Sequence, residues 1–269
     1  MSPVAIVTDS TASILPHLAQ DLPIHTVPVQ IIWDGKSYRD GIEITPAQFY
    51  HRLVTDPHWP KTSQPSPGDF IQKFATLVGQ GYEVLSILIS ARKSGTYNSA
   101  LQAAKEVSVE KISLLDSETG SAALGFQVIA AARAAAAGAP IEVCRRIAEN
   151  VRAHSHTVFV PGALDSLRRG GRIGAATQFL GSLLRIKPIL SIVEGDIIAV
   201  ERVRTMSLAL GRVVDLVEQR LAASVKVTLA GLYTDIPAMG EELLSQVTER
   251  VGSERVHLSF TTTISPALG

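Results

Sequence analysis

Apolar residues along this chain fall into two alternating patterns. Short continuous runs bounded by polar residues read as buried strands, and longer stretches with apolar positions three and four apart read as helices. "VAIVTDS" (residues 4–10) is the first strand, and the pattern after it predicts a helix over about Thr11 to Gln20. "HTVPVQIIW" (25–33) reads as one second strand, with Pro28 marking an edge or an irregular start. "DGKSYRDG" (34–41) reads as a turn-rich connection. Two helix starts carry their own chemistry. "TPAQ" (45–48) and "SPGD" (66–69) each place a hydroxyl before a proline, with Gln or Asp three residues after the cap. "KTSQP" (61–65) is predicted as the loop between these helices, stiffened because Pro65 biases Gln64 toward extended geometry.

"EVLSILIS" (83–90) and "KISLLDS" (111–117) are further strands, each followed by a helix. The second of these helices is rich in alanine, starts at about Glu118 and stops at Gly138 and Pro140. "IEVCRRIAENVRAHS" (141–155) is helical and "HTVFV" (156–160) is a strand. Repeated strand–helix alternation predicts a parallel α/β layer. The character changes near Pro161. A short helix and the glycine-rich basic turn "RRGGRIG" (168–174) precede a helical stretch, "AATQFLGSLLRI" (175–186). "KPILSIVEGDIIAVERV" (187–203) then reads as a hairpin turning at "EGD". A helix over about Met206 to Leu221, a strand in "SVKVTLAGLYTD", a helix in "PAMGEELLSQVTERV" and a last strand in "ERVHLSFT" complete the pattern. A hairpin beside crossover units implies a mixed sheet. The expected division is therefore residues 1–157, an N-terminal parallel-sheet α/β/α domain, and residues 158–269, a C-terminal mixed-sheet α/β domain.

Composition narrows the function classes. The 269 residues suit two cores better than one. Twenty-five basic residues balance 25 acidic ones, so the basic surplus of a nucleic-acid binder is absent. The one cysteine, Cys144, leaves no internal disulfide, which fits a reducing cytoplasm, and its apolar neighbours read as core. No run approaches the roughly 18–20 apolar residues of a membrane helix. "MSPVAIVTDS" runs straight into a strand pattern, so no secretory leader is expected.

The familiar chemical motifs are missing. "DGKSY" lacks the upstream glycine of a phosphate-binding P-loop, and "GGRIG" lacks dinucleotide spacing. No serine stands in a G-x-S-x-G elbow. His154 and His156, two apart, are poorly spaced for one metal, so no metal site is expected.

The positive signals lie at strand ends. Thr8, Asp9, Ser10 and Thr11 follow the first strand, Ser94, Gly95 and Thr96 follow "EVLSILIS", and Asp116 and Ser117 follow "KISLLDS". In a parallel sheet these ends share the carboxyl edge, where α/β proteins place ligands. Each hydroxyl alone also reads as an ordinary helix cap. Gly95 gives room for close approach, and a helix beginning near Thr96 favours an anion. Ser94 is open to three readings: nucleophile, phosphate ligand or anchor for another anion. As a nucleophile it needs a base, for which Asp9 and Asp116 are candidates, and the protein would be a hydrolase or phosphotransferase on a small anionic substrate.

Eight segments, in order along nearly the whole chain, resemble the DegV family. They are "TDSTA" at 8–12, "DGIEITPAQFY" at 40–50, "KTSQPSPGDF" at 61–70, "SGTYNSA" at 94–100, "LDS" at 115–117, "LRRGGRIG" at 167–174, "IKPIL" at 186–190 and "RT" at 204–205. The resemblance implies a two-domain DegV-like fold and a non-catalytic, fatty-acid-binding subunit of a bacterial fatty acid kinase. It would need no cofactor, the bound long-chain fatty acid being its ligand. A separate kinase protein would phosphorylate the bound carboxylate. By the same resemblance Thr62 and Ser94 hydrogen-bond that carboxylate, and Arg172 and Arg204 face the kinase; the strand-end residues Ser10, Gly95 and Thr96 are expected in the same ligand site. The family usually adds a histidine in a "THTGPG"-like segment. Here the segment reads "TTTISPALG", and Thr262 stands at that position. A hydroxyl there donates a hydrogen bond but brings no charge.

Phe179, Leu180, Leu183, Leu184, Ile189 and Ile192 are candidates for the lining of an apolar tunnel, with ordinary core as the alternative. The implied partners are a fatty acid and the kinase, with at most transient contact at a membrane surface. A regulatory binder of another lipid or amphiphile is the third reading.

Overall fold

The computed structural model describes residues 2–162, 164–174 and 186–268. Phe179, Leu180, Leu183 and Leu184, and most of the helix expected over 175–186, lie outside them. The chain divides into two compact units, one running to Ser155 and taking in Ile264–Leu268, the other covering His156–Thr263. The division expected from sequence was at residues 157 and 158, with the last residues kept in the second domain.

In the first unit, β1 (Val4–Asp9), β2 (Ile24–Val27), β6 (Glu83–Leu88) and β7 (Ile112–Asp116) form one parallel sheet in the order β2-β1-β6-β7. Both faces are covered, which is why these strands are apolar throughout instead of alternating. Helices α3 (Pro67–Gly79) and α4 (Thr96–Val107) bring Phe70, Phe74, Leu77, Ala100 and Ala103 against Ala5, Val7, Val84 and Leu88. On the other face, α5 (Ser121–Ala136) and α6 (Ile141–Ala153) bring Leu124, Val128, Ala131, Cys144 and Ala148 against Ile6, Leu85 and Ile87. Cys144 is thus a core thiol.

Several elements differ from the sequence pattern. In place of a helix over Thr11–Gln20 there is a 3-10 turn, Ser10–Ala12, and a four-residue helix, α1 (Pro16–Ala19). Pro16 holds Leu15 extended, at φ −70° and ψ 138°, and Ser13 is left-handed at φ 48°. The apolar run 25–33 is two strands. It leaves the parallel sheet at Pro28, and β3 (Gln30–Trp33) joins a separate antiparallel sheet, β4-β3-β5. The segment whose pattern predicts a turn-rich connection forms β4 (Lys36–Arg39), a hairpin partner of β3. Asp34 and Gly35, at φ 50° and 73°, make its two-residue turn. The expected loop 61–65 contains β5 (Lys61–Ser63), which sets Thr62 opposite Ile31. The alanine-rich helix begins at Ser121 because Glu118 and Ser121 both have positive φ.

Both capping boxes form. Thr45 caps α2 (Pro46–Thr55) by accepting from Gln48 N at 3.3 Å, and Ser66 caps α3 by accepting from Asp69 N at 3.2 Å.

The second unit pairs strands in both senses. β8 (Val158–Phe159) and β10 (Asp196–Val203) flank β9 (Lys187–Val193) antiparallel, while β11 (Val227–Tyr233) and β12 (Val256–Thr263) pair parallel across α9 (Pro237–Val251). α7 (Leu164–Arg169) follows β8, and α8 (Met206–Arg220) packs Ala209, Val213 and Leu216 on Ile189. Ile189 is therefore core, and Ile192 packs partly buried with Leu190 and Ile197.

Gly231 is where α9 meets β11. A Cβ there would stand 2.7 Å from the Gly240 carbonyl oxygen. Backbone cannot yield as a side chain can, so Gly231→Ala is expected to cost about 1–3 kcal/mol, read as a lower urea midpoint.

Among the described residues no helix is long and apolar enough to cross a membrane. Among them, too, no group of three or more His, Cys, Asp or Glu is placed to hold a metal ion.

Candidate functional site

The chain crosses from β1 to β2 on one side and reaches β6 on the other. The crevice at the carboxyl ends of β1 and β6 is therefore the topological switch point, where such sheets bind ligands. The turns after these two strands carry Asp9–Ser13 and Ile89–Gly95.

Asp9 joins the two turns from inside. Its side chain is buried, one oxygen accepting from Thr11 N at 2.9 Å and Thr11 Oγ1 at 2.5 Å, the other from Ile89 N at 2.8 Å. Burial pushes its pKa above the usual carboxylate range, against the hydrogen bonds that lower it. Asp116 is similarly occupied, accepting from Ala91 N at 3.2 Å and Glu118 N at 2.9 Å. Both candidate bases thus hold backbone, and neither bonds Ser94.

Ser94 Oγ lies 2.8 Å from Thr96 Oγ1 and accepts from Thr96 N at 3.2 Å. Two hydroxyls with one shared hydrogen bond leave one proton for a third group. Either hydroxyl can be the donor of that bond, and Ser94, half-buried where Thr96 is fully buried, is the one open to a ligand. A carboxylate or imidazole that could activate Ser94 is not bonded to it among the described residues, which disfavours the nucleophile reading.

Thr62 Oγ1 is buried and has no hydrogen-bond partner among the described residues. The same holds for Thr8, Trp33, Ser86, Thr119 and Gln127, each through one side-chain atom, so burial alone does not single Thr62 out. Its neighbourhood does. Gln64, two residues along, lays its carboxamide against Gly95. The β5 segment and the start of α4 are therefore adjacent.

Ser10 has a different job. Its hydroxyl donates to Asp40 Oδ2 at 2.8 Å and accepts from Val29 N at 3.1 Å. With its proton given to Asp40 it has none for a carboxylate. Ser265 Oγ donates to the same Asp40 oxygen at 2.6 Å, and Tyr50 OH donates to the Ile264 carbonyl at 3.0 Å. These bonds hold residues 264–268 in the first unit. Sequence reading missed Asp40, Ser265 and Gln64, because partners up to 225 residues apart leave no local spacing.

Burial is the main cause raising the Asp40 pKa, outweighing its two hydroxyl donors. A carboxyl raised on folding adds most stability below its unfolded pKa and loses it as pH rises through the folded value. The stability of the native protein relative to Asp40→Asn is therefore expected to increase as pH falls from 7 toward 4. Urea unfolding of both across that range measures it.

The remaining expected residues lie in the second unit. Thr262 is a buried residue of β12, opposite Leu232. Arg172, after the glycine turn that ends α7, is half-buried, and burial lowers its pKa. Arg204 is exposed, directly before Thr205, which caps α8. A groove of about 500 Å³ between α8 and α9 is lined by Leu208, Arg212, Asp215 and Arg250. Its arginines are engaged by Glu201, Asp215 and Glu218. The groove contains none of the expected site residues.

A family profile described as "Uncharacterised protein, DegV family" matches residues 3–269. The chain belongs to the DegV family. A DegV domain-containing protein of Listeria monocytogenes is 33% identical over 267 residues, spanning 99% of this chain and 93% of its own. Among solved structures, a fatty-acid-binding DegV family protein from Thermus thermophilus is 30% identical, with a TM-score of 0.89 over 99% of this chain and 94% of its own. A stearic acid-binding protein from Eubacterium ventriosum is 26% identical, with a TM-score of 0.90 over 98% and 93%. The TM-scores show that both structures share the α/β fold described above.

Proposed function

We propose that this protein is a non-catalytic, cytoplasmic carrier of a long-chain fatty acid. The acyl chain lies in an apolar tunnel, and the carboxylate is held at Thr62 and Ser94 and offered to a separate kinase that forms the acyl phosphate. Arg172 and Arg204 are the residues proposed to meet that kinase. The observation that carries the reading is the buried, partnerless hydroxyl of Thr62, two residues before the Gln64 carboxamide that lies against Gly95, itself next in the chain to Ser94. Two hydroxyls, with no base bonded to Ser94 among the described residues, suit an acceptor that is bound, not attacked. The Thermus and Eubacterium relatives, which bind fatty acid and stearic acid, support the ligand class.

The energetics are consistent with such a ligand. Burying roughly 14 methylenes at about 0.8 kcal/mol each gives on the order of 10 kcal/mol before ordering costs. The tunnel then supplies most of the affinity. The carboxylate, which costs several kcal/mol to bury unpaired, needs the donors to avoid cancelling it.

Denaturing protein purified from cells and analysing the released lipid by mass spectrometry tests the reading. Stoichiometric long-chain fatty acid is expected, and lipid-free protein that also fails to take up added fatty acid contradicts it. The isolated protein is expected to turn over neither esters nor phosphate esters.

A further inference from the structure

Gly95 has φ −74° and ψ 0°, a conformation open to any residue. Its lack of a side chain therefore serves space, not backbone freedom. The space is taken by Gln64. A Cβ on Gly95 would stand 2.9 Å from both Cδ and Nε2 of Gln64, and 3.3 Å from Oε1. Three amide atoms at nearly equal distance place the plane of the carboxamide across the glycine. Gln64 is exposed, and its carboxamide makes no hydrogen bond to another described residue, which leaves its N–H groups open to a ligand.

Its backbone position is well determined. Ser63, the residue before, pairs with Gln30 in the small sheet, and Pro65 follows. The amide is thus carried on a fixed strand end, two residues from the partnerless Thr62 hydroxyl and against the residue next to Ser94. Gly95 is the N-cap residue of α4 and offers no side-chain cap, while Ser94 Oγ beside it accepts from Thr96 N.

We propose that Gln64 is a further head-group residue, donating an Nε2–H to the ligand's carboxylate, and that Gly95 is the seat that keeps the amide in reach. The proposal rests on the fatty-acid reading above and extends it. An amide is neutral at every working pH, and its Nε2 carries two N–H donors, so it can donate to an acceptor-only group such as a carboxylate. A glutamate in its place would repel that group at close range.

The experiment is a calorimetric titration of palmitate and of hexadecanol into the native protein, Gln64→Ala, Gln64→Glu, Gly95→Ala and the double variant Gln64→Ala/Gly95→Ala. Thermal melts confirm that each is folded. Gln64→Ala is expected to weaken palmitate about tenfold and Gln64→Glu about a hundredfold or more, with hexadecanol changed less than about threefold. Gly95→Ala is expected to weaken palmitate in the native background and to add nothing once Gln64 is alanine. Palmitate bound as tightly by Gln64→Ala and Gln64→Glu as by the native protein overturns the role of Gln64. An equal loss from Gly95→Ala in both backgrounds overturns the seat. Native protein that binds no palmitate overturns the fatty-acid reading itself, a result distinct from either.

Discussion

Asp9→Ala is expected to lower the stability of the protein by about 3–5 kcal/mol, from the loss of a buried hydrogen-bond hub. The side chain is inaccessible to solvent and accepts from Thr11 N, Thr11 Oγ1 and Ile89 N. Alanine leaves those donors facing apolar surroundings, each at a cost of about 1–3 kcal/mol, partly recovered by relaxation. Against a typical total of about 5–15 kcal/mol this is a large share. Asp9→Asn should recover only part of it, because one of its two ends must point an N–H at a backbone N–H. Urea unfolding followed by circular dichroism measures both variants. An unchanged midpoint for Asp9→Ala would show that the carboxyl does not hold the turns together. The result also separates the two roles open to Asp9 in the sequence, since a catalytic base could be removed at little cost to folding.

The second large effect is on binding, and it comes with an opposite effect on stability. Thr62→Val keeps shape and β-branching in β5 but deletes the hydroxyl that has no partner. Removing an unsatisfied buried group is expected to leave the fold unchanged or stabilise it by about 1 kcal/mol. Fatty-acid affinity should fall by about 1.5–3 kcal/mol, the contribution of a hydrogen bond to a charged group. Ser94→Ala should cost a similar amount in affinity. It should also loosen the first turn of α4, because Thr96 N loses its acceptor. Together the two substitutions should raise Kd on the order of 10²–10⁴-fold. Titration with palmitate reads the affinity and a thermal melt reads the stability. A Thr62→Val protein that loses stability and keeps its affinity would mean that the hydroxyl serves the fold and not a ligand.

What could be read from the sequence was whatever follows from local pattern. β1, β6 and β7 are uniformly apolar because they are covered on both faces, and that uniformity is visible in one dimension. Thr45 and Ser66 announce their helices because a capping box is four residues long. The carboxyl edge of the sheet, with Asp9, Ser94 and Asp116 at its strand ends, followed from the same alternation.

The errors came where long-range pairing overrides local pattern. The run 25–33 looks like one strand, and only the partners of β3 show that it changes sheets at Pro28. Lys61–Ser63 is too short for any period to register. The helix expected from Thr11 failed against Pro16 and the left-handed Ser13, a local signal that the apolar spacing outweighed. In the site, Ser94 was visible as a strand-end residue, while Thr62 and the carboxylate role of both came from family resemblance. That Ser10 is committed to Asp40, and that Gln64 lies on Gly95, depends on contacts between separate segments.

The most direct measurement of the central claim is a crystal structure of the protein with palmitate bound. An elongated acyl chain is expected, with its carboxylate about 2.5–3.0 Å from both Thr62 Oγ1 and Ser94 Oγ. A carboxylate bound elsewhere, with both hydroxyls left as they are, would contradict it.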